Sequence, residues 1–257
     1  MPSARFVAGH LRQVGQGAAG LRLAPSDEAE QASQVLHGER FTVYDEVDGW
    51  AWGRNHTDGY VGYVRAAALG VPVTEPTHRV SALRSFVYPR PDLRAPPRDV
   101  LSLTTPVTVT GARDGWAELA GGAGWVCLKH LEPPGAVEPD IVATARRLLG
   151  VPYLWGGATP KVGLDCSGLT MIVYQRLGIH LAHFTGLQWQ EGTHVGRNVE
   201  PGDLVFFEPT VLGPGHVGIY MGGGRFIEAP HTGDVVKIAS LRSPNYALSY
   251  VGAVRPY

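Results

Sequence analysis

The chain has 257 residues, with 22 Lys and Arg against 23 Asp and Glu, so its net charge is −1. That balance gives no electrostatic reason to expect nucleic acid or an anionic membrane surface as a partner, and no run of 18 apolar residues is present to span a bilayer. Two cysteines allow at most one disulfide and form no Cys/His zinc cluster, so neither a metal nor a cofactor is expected.

Glycine (34) and proline (20) favour many turns and short strands over long helices. The opening stretch, residues 1–10, lacks an apolar segment of signal-peptide length. With two thiols expected to be reduced, the sequence reads as a cytoplasmic protein. An internal repeat follows. Asp48-Gly49-Trp50-Ala51 returns 66 residues later as Asp114-Gly115-Trp116-Ala117, and Phe41-Thr42-Val43 aligns with Val107-Thr108-Val109 in the same register. Each copy closes on a Gly-aromatic-Val run, Gly62-Tyr63-Val64 and Gly124-Trp125-Val126. The unit therefore reads as an alternating strand, a polar turn, a Trp-led strand, a second turn and a short closing strand. Cys127 follows that second closing run and reads as a small buried hydrophobe.

Glu132-Pro133-Pro134-Gly135 marks a linker, and beyond it the period changes. Ile141, Ala145, Leu148 and Leu149 share one helical face, with Asp140 as N-cap and Gly150 as stop. A second helix is predicted over 166–176, with Leu169, Ile172, Val173 and Leu177 on one face and Gly178 at its end. Strand-like runs follow at 203–207, 216–221, 225–229, 235–238 and 250–255. Helices first, then short strands joined by Gly-rich turns, argue an α+β domain with an antiparallel sheet.

Cys166 lies in Gly163-Leu164-Asp165-Cys166-Ser167-Gly168, where a loop opens into the second helix. Unpaired N–H groups and the helix dipole favour thiolate there, which nucleophilic attack requires. A buried, inert cysteine is the other reading of the position alone. His216, after Gly213-Pro214-Gly215, heads a core strand from which an imidazole could take the thiol proton and return it to a leaving amine. A solvated or merely packed histidine is the alternative.

The repeats resemble the bacterial SH3-like module over residues 5–75 and, more weakly, 78–133, with Leu21-Arg22-Leu23-Ala24-Pro25-Ser26 and Gly38-Glu39-Arg40 looking like its opening. Leu154-Trp155-Gly156-Gly157, Asp165-Cys166-Ser167-Gly168, Gly202-Asp203-Leu204-Val205-Phe206-Phe207 and His216-Val217-Gly218-Ile219-Tyr220 resemble, in order and spacing, the NlpC-type cell-wall cysteine peptidases. This resemblance covers residues 137–257. It implies a multidomain chain: two small all-β SH3-like barrels (1–75 and 76–134), then an α+β papain-like catalytic domain with an antiparallel sheet (135–257). The architecture is similar to that of γ-D-glutamyl-L-diamino acid endopeptidases. That likeness implies a monomeric cysteine peptidase acting on peptidoglycan-derived L-Ala-γ-D-Glu-diamino acid peptides during cell-wall recycling or turnover.

By that resemblance Cys166 is the nucleophile, His216 the base, and Asp165 and Ser167 shape the substrate pocket. Tyr153 lines the cleft, where its hydroxyl could assist an oxyanion. Thr185 matches a substrate position loosely, because Ala182-His183-Phe184-Thr185 departs from the usual Pro-Arg-Asp-Ser-like run. The third catalytic member, most often His, falls here on Glu228, twelve residues after His216. A carboxylate can orient an imidazole and stabilise imidazolium, and His231 is the alternative partner. In the first module the resemblance implies that Glu39 and Tyr60 meet the free ammonium of the substrate's L-Ala. Two other functions stay open: a catalytically impaired wall-binding protein that works through its SH3-like modules, and an acyltransferase on the same fold.

Overall fold

Short strands with alternating burial build the N-terminal half, as a turn-rich composition requires. The computed structural model of the chain describes residues 7–70, 72–196 and 198–256, so most of the stretch read for an export signal lies outside the described residues. The chain divides into two compact units, Met1–Pro134 and Gly135–Tyr257. No helix among the described residues is long and apolar enough to cross a membrane.

In the first unit a seven-stranded antiparallel sheet takes in His10–Val14, Ala18–Arg22, Gln31–Leu36, Arg40–Val47, Trp50–Asn55, Val61–Arg65 and Leu69–Gly70. It closes over Leu21, Val35, Phe41, Val43 and Val64. The second repeat folds differently at the level of sheets. Its strands, from His78–Val80 to Leu131–Glu132, sort into three small sheets around Val80, Val87, Leu101, Ala117 and Val126. Pro89, Pro91, Pro96 and Pro97 all lie in the connection between Arg84–Val87 and Asp99–Ser102, two strands that pair with each other. Turn geometry is nevertheless shared. Asp48-Gly49 and Asp114-Gly115 all have positive φ, as a tight hairpin turn demands. Gly49 and Gly115 each accept a 2.9 Å hydrogen bond, from the N–H of Ala66 and of Leu128 respectively. Both of those donors begin a three-residue 3₁₀ turn that leads into a two-residue strand.

The second unit is a six-stranded antiparallel sheet in the order Thr193–His194, Tyr250–Arg255, Leu204–Thr210, Gly213–Gly222, Arg225–Glu228, Lys237–Ser240. Four short helices accompany it: α1 (Ile141–Arg146), α2 (Cys166–Gln175), α3 (Thr185–Gln188) and α4 (Pro244–Ser249). Asp140 caps α1 by accepting from Ala143 N at 2.8 Å. The helix is shorter than its apolar period suggested, because the N–H of Leu148 turns back to Ala145 in a tighter i→i−3 bond. Leu169, Ile172 and Val173 of α2 are fully buried, and α2 packs on the strand Gly213–Gly222. Each such side chain contributes about 1.5–3 kcal/mol, which fixes the helix carrying Cys166 against the strand carrying His216. The strand predicted at 235–238 forms two residues later, since Val236 N is drawn to the carbonyl of Val151 (2.7 Å) and Val235 bridges to Pro152.

Glu39 lies inside the first unit at 7% exposure. Loss of water pushes its carboxyl up from the ordinary 4.5 to about 7; the Asp58 charge adds to the rise, while hydrogen bonds from Leu36 N (2.9 Å) and the Asn55 side chain (3.4 Å) oppose it. The folded state therefore binds a proton more tightly than the unfolded chain, and this group's contribution to stability falls as pH rises from about 4.5 to about 7. That loss is about 3 kcal/mol across the window. Urea denaturation at pH 5 and pH 8 should show Glu39→Gln flattening the pH dependence of the unaltered chain by that order. Parallel pH profiles for the two proteins would contradict the assignment.

Candidate active site

Asp165 is the N-cap of α2, and its carboxylate is surrounded by donors from three segments. Oδ1 accepts from Gly168 N (2.7 Å), Ser167 Oγ (3.1 Å) and His183 Nε2 (3.1 Å), and Oδ2 accepts from Gly156 N (2.9 Å). Burial alone would raise this carboxyl, but the His183 charge and these hydrogen bonds hold it below the usual carboxylate range. The loop before α2 is thereby tied to the helix's first turn. The approach is close: a Cβ on Gly168 would stand 2.1 Å from the carbonyl oxygen of Gly157.

Cys166 is the first residue of α2, so its own N–H has no acceptor within the helix. Its Sγ lies 3.6 Å from Thr185 Oγ1, the first residue of α3. His216, on Gly213–Gly222, is hydrogen-bonded to Glu228 and interacts electrostatically with Cys166. Nε2 is 2.7 Å from Glu228 Oε2, which leaves Nδ1 for the thiol. Burial disfavours a charged imidazole. The bonds and negative charges of Cys166 and Glu228 overcome it and push His216 up to about 10. The imidazole therefore stays protonated through the neutral range, facing Cys166 on one side and Glu228 on the other.

Glu228, and not His231, is the residue that His216 meets. Glu228 is completely buried against His216, whereas His231 is exposed and bonds the carbonyl of its neighbour Thr232 at 3.0 Å. Tyr153 is half-buried; burial and then the charges of Cys166, Asp165 and Glu208 raise its hydroxyl, so it stays a proton donor beside the thiol. Asp165 and Ser167, expected to offer an acceptor and a donor to substrate, are engaged with each other and hold the loop. Glu39 and Tyr60 lie together in the first unit. Asn55 links them: its side chain reaches Glu39 and its N–H donates to the Tyr60 carbonyl at 2.9 Å. Tyr60 also packs on that unit's core.

Three contributors escaped sequence reasoning. His183 sits in the segment that departs from the family run, and that departure was its only signal. Gln188 donates to the carbonyls of Ser167 (3.0 Å) and Ala182 (2.7 Å) while accepting from Thr170 (2.7 Å), bracing α2 against α3. Tyr246, on α4, donates to Glu228 Oε1 at 2.6 Å. Among the described residues no group of three or more His, Cys, Asp or Glu side chains is placed to hold a metal ion.

Residues 150–255 match the NlpC/P60 family, and residues 21–69 match the bacterial dipeptidyl-peptidase Sh3 domain. A gamma-DL-glutamyl hydrolase of Bacillus subtilis is 40% identical over 127 residues, covering 48% of this chain but only 30% of that protein. A gamma-D-glutamyl-L-lysine dipeptidyl-peptidase of Bacillus cereus is 28% identical over 251 residues, covering 87% of this chain and 74% of that protein. The crystal structure of an NlpC/P60 family protein from Bacillus cereus has the same fold, with a TM-score of 0.83 at 22% identity over 96% of this chain and 99% of that one.

Cys166 is 9% exposed while Cys127 is half-buried, so accessibility alone predicts faster alkylation of Cys127. Iodoacetamide at pH 6 should instead modify Cys166 about tenfold faster, as peptide mapping by mass spectrometry would reveal. Equal rates, or the reverse order, would contradict a thiolate at the helix start. Gly168→Ala should cost about 1–3 kcal/mol in thermal unfolding and remove this selectivity, because a carbonyl oxygen occupies the space of the new methyl.

Proposed function

We propose that this chain, which carries an NlpC/P60 domain behind a bacterial dipeptidyl-peptidase Sh3 domain, is a cysteine peptidase cleaving the γ-D-glutamyl-diamino acid bond of peptidoglycan-derived peptides that begin with a free L-Ala. The observation that carries the reading is the buried line from Cys166 through His216 to Glu228. The relatives named gamma-D-glutamyl-L-lysine dipeptidyl-peptidase support the choice of bond, and they extend over most of the chain.

In this reading the reaction runs through a thioester. Cys166 Sγ attacks the γ-carbonyl carbon of the D-glutamyl residue, forming a C–S bond and moving the carbonyl electron pair onto oxygen. The N–H of Cys166 and the protonated hydroxyl of Tyr153 are the donors for that oxyanion. His216 passes its Nδ1 proton to the departing amine as the C–N bond breaks, leaving a thioester. A water molecule then gives a proton to Nδ1 and adds to the thioester. Collapse releases the free γ-carboxyl and restores the sulfur. Glu228 keeps Nε2 protonated throughout and balances the imidazolium charge.

Glu39, inside the first unit and pushed up to about 7 by burial, has neither the access nor the full neutral-pH charge that meeting the ammonium of L-Ala requires, and Tyr60 packs on the same unit's core. The second repeat, with its matching Asp-Gly turn, is a diverged copy of the first module.

Incubation with L-Ala-γ-D-Glu-L-Lys, and with the diaminopimelate and ornithine counterparts, should release the free diamino acid, followed by chromatography. Cys166→Ala should lower the rate at least about 1,000-fold without changing thermal stability by more than about 1 kcal/mol. N-acetylation of the L-Ala should abolish release. Transfer of the acyl group to an added amine in preference to water would replace the peptidase with an acyltransferase, and no turnover of any peptide would leave a binding protein.

A further inference from the structure

We infer that Tyr246 is a positioning residue of this active site, holding the second oxygen of Glu228 so that the first stays on His216. The inference rests on the cysteine-peptidase reading above and adds a fourth side chain to it.

A carboxylate presents two oxygens, and Glu228 is completely buried, so water cannot serve either of them. Oε2 faces His216 Nε2 at 2.7 Å, and Oε1 accepts from the Tyr246 hydroxyl at 2.6 Å. Without that donor Oε1 would be a desolvated acceptor, and the carboxyl would relieve it by taking a proton or by rotating. Either outcome withdraws negative charge from His216. The need comes with the carboxylate. Where the resemblance places a histidine, a carboxylate brings an extra buried acceptor, and Tyr246 is what satisfies it.

Tyr246 is itself held independently of Glu228. Its ring packs on Phe207 and Phe226 at centroid distances of 5.1 and 5.0 Å, and lies nearly parallel to the His216 ring at 6.4 Å and 26°. Glu208 and Asp234 are the other charges that reach it, and together with burial and Glu228 they raise its hydroxyl, so it donates throughout the neutral range. Lys237 faces Glu228 across the sheet, but its Nζ lies 2.5 Å from Asp234. Cys166 is the remaining group in contact with His216.

Tyr246→Phe deletes the hydroxyl and keeps the ring. Cys166 alkylation by iodoacetamide should be followed from pH 4 to 9 in the unaltered chain, Tyr246→Phe, Glu228→Gln and the double variant, with Cys127 as internal control. A weaker Glu228 charge makes imidazolium, and with it thiolate, harder to form. The midpoint in Tyr246→Phe should therefore move up by about one pH unit. On L-Ala-γ-D-Glu-L-Lys kcat should fall about tenfold with KM within about twofold. In the Glu228→Gln background the same substitution should change the midpoint by less than about a third of that. An unmoved midpoint in Tyr246→Phe, or an equal shift with and without Glu228, overturns the role. Alkylation needs no substrate. Failure of the peptidase reading would thus show as an uncleaved peptide in the unaltered chain, with the alkylation series still deciding for or against Tyr246.

Discussion

One largely buried carboxylate organises the second unit. Asp165 takes donors from residue 156, from the first turn of α2 and from His183 just ahead of α3, and a desolvated charge tolerates no missing partner. Satisfying it joins three stretches of chain, alongside the Asp165 N–H bond to the Gly157 carbonyl and the bracing by Gln188. Cys166 is the next residue along. Its place at the helix start and its proximity to Thr185 are consequences of how Asp165 is satisfied.

The second half of the site is built by the sheet. His216 and Glu228 stand on adjacent antiparallel strands, and α2 packs on the strand that bears His216. The imidazole thus lies between two groups that favour its charged form, at a burial that would otherwise forbid it. The balance explains why the chain can change the third member from the imidazole of its resemblance to a carboxylate. What Nε2 needs is an acceptor fixed in place, and negative charge adds to the effect. Aromatic rings of Phe207, Phe226 and Tyr246 wall this region and keep the local dielectric low.

Much of this was legible in the sequence because it depends on local rules. Asp140 sits where a helix needs a cap, Gly150 and Gly178 stop the helices with positive φ, and the repeated Asp-Gly turns fold alike. The pairing of His216 with Glu228 was implied by the family resemblance, and the two residues do stand on adjacent antiparallel strands. Other features depend on tertiary contacts and left no local trace. α3 and α4 are too short for a hydrophobic period, Gln188 works through carbonyls, and His183 and Tyr246 acquire meaning only from the carboxylates they reach. The second repeat shows the reverse error: its motifs align with the first, yet its strands sort into separate small sheets.

The account's central claim is that Cys166 carries the glutamyl group as a thioester. It can be tested by mixing enzyme with L-Ala-γ-D-Glu-L-Lys, quenching in acid within the first turnover, and mapping acyl adducts by mass spectrometry. The predicted result is an L-Ala-γ-D-Glu acyl group on the peptide containing Cys166, absent in Cys166→Ala and discharged when the complex is returned to neutral pH. Product release with no adduct at any time, or an adduct on another side chain, would contradict it.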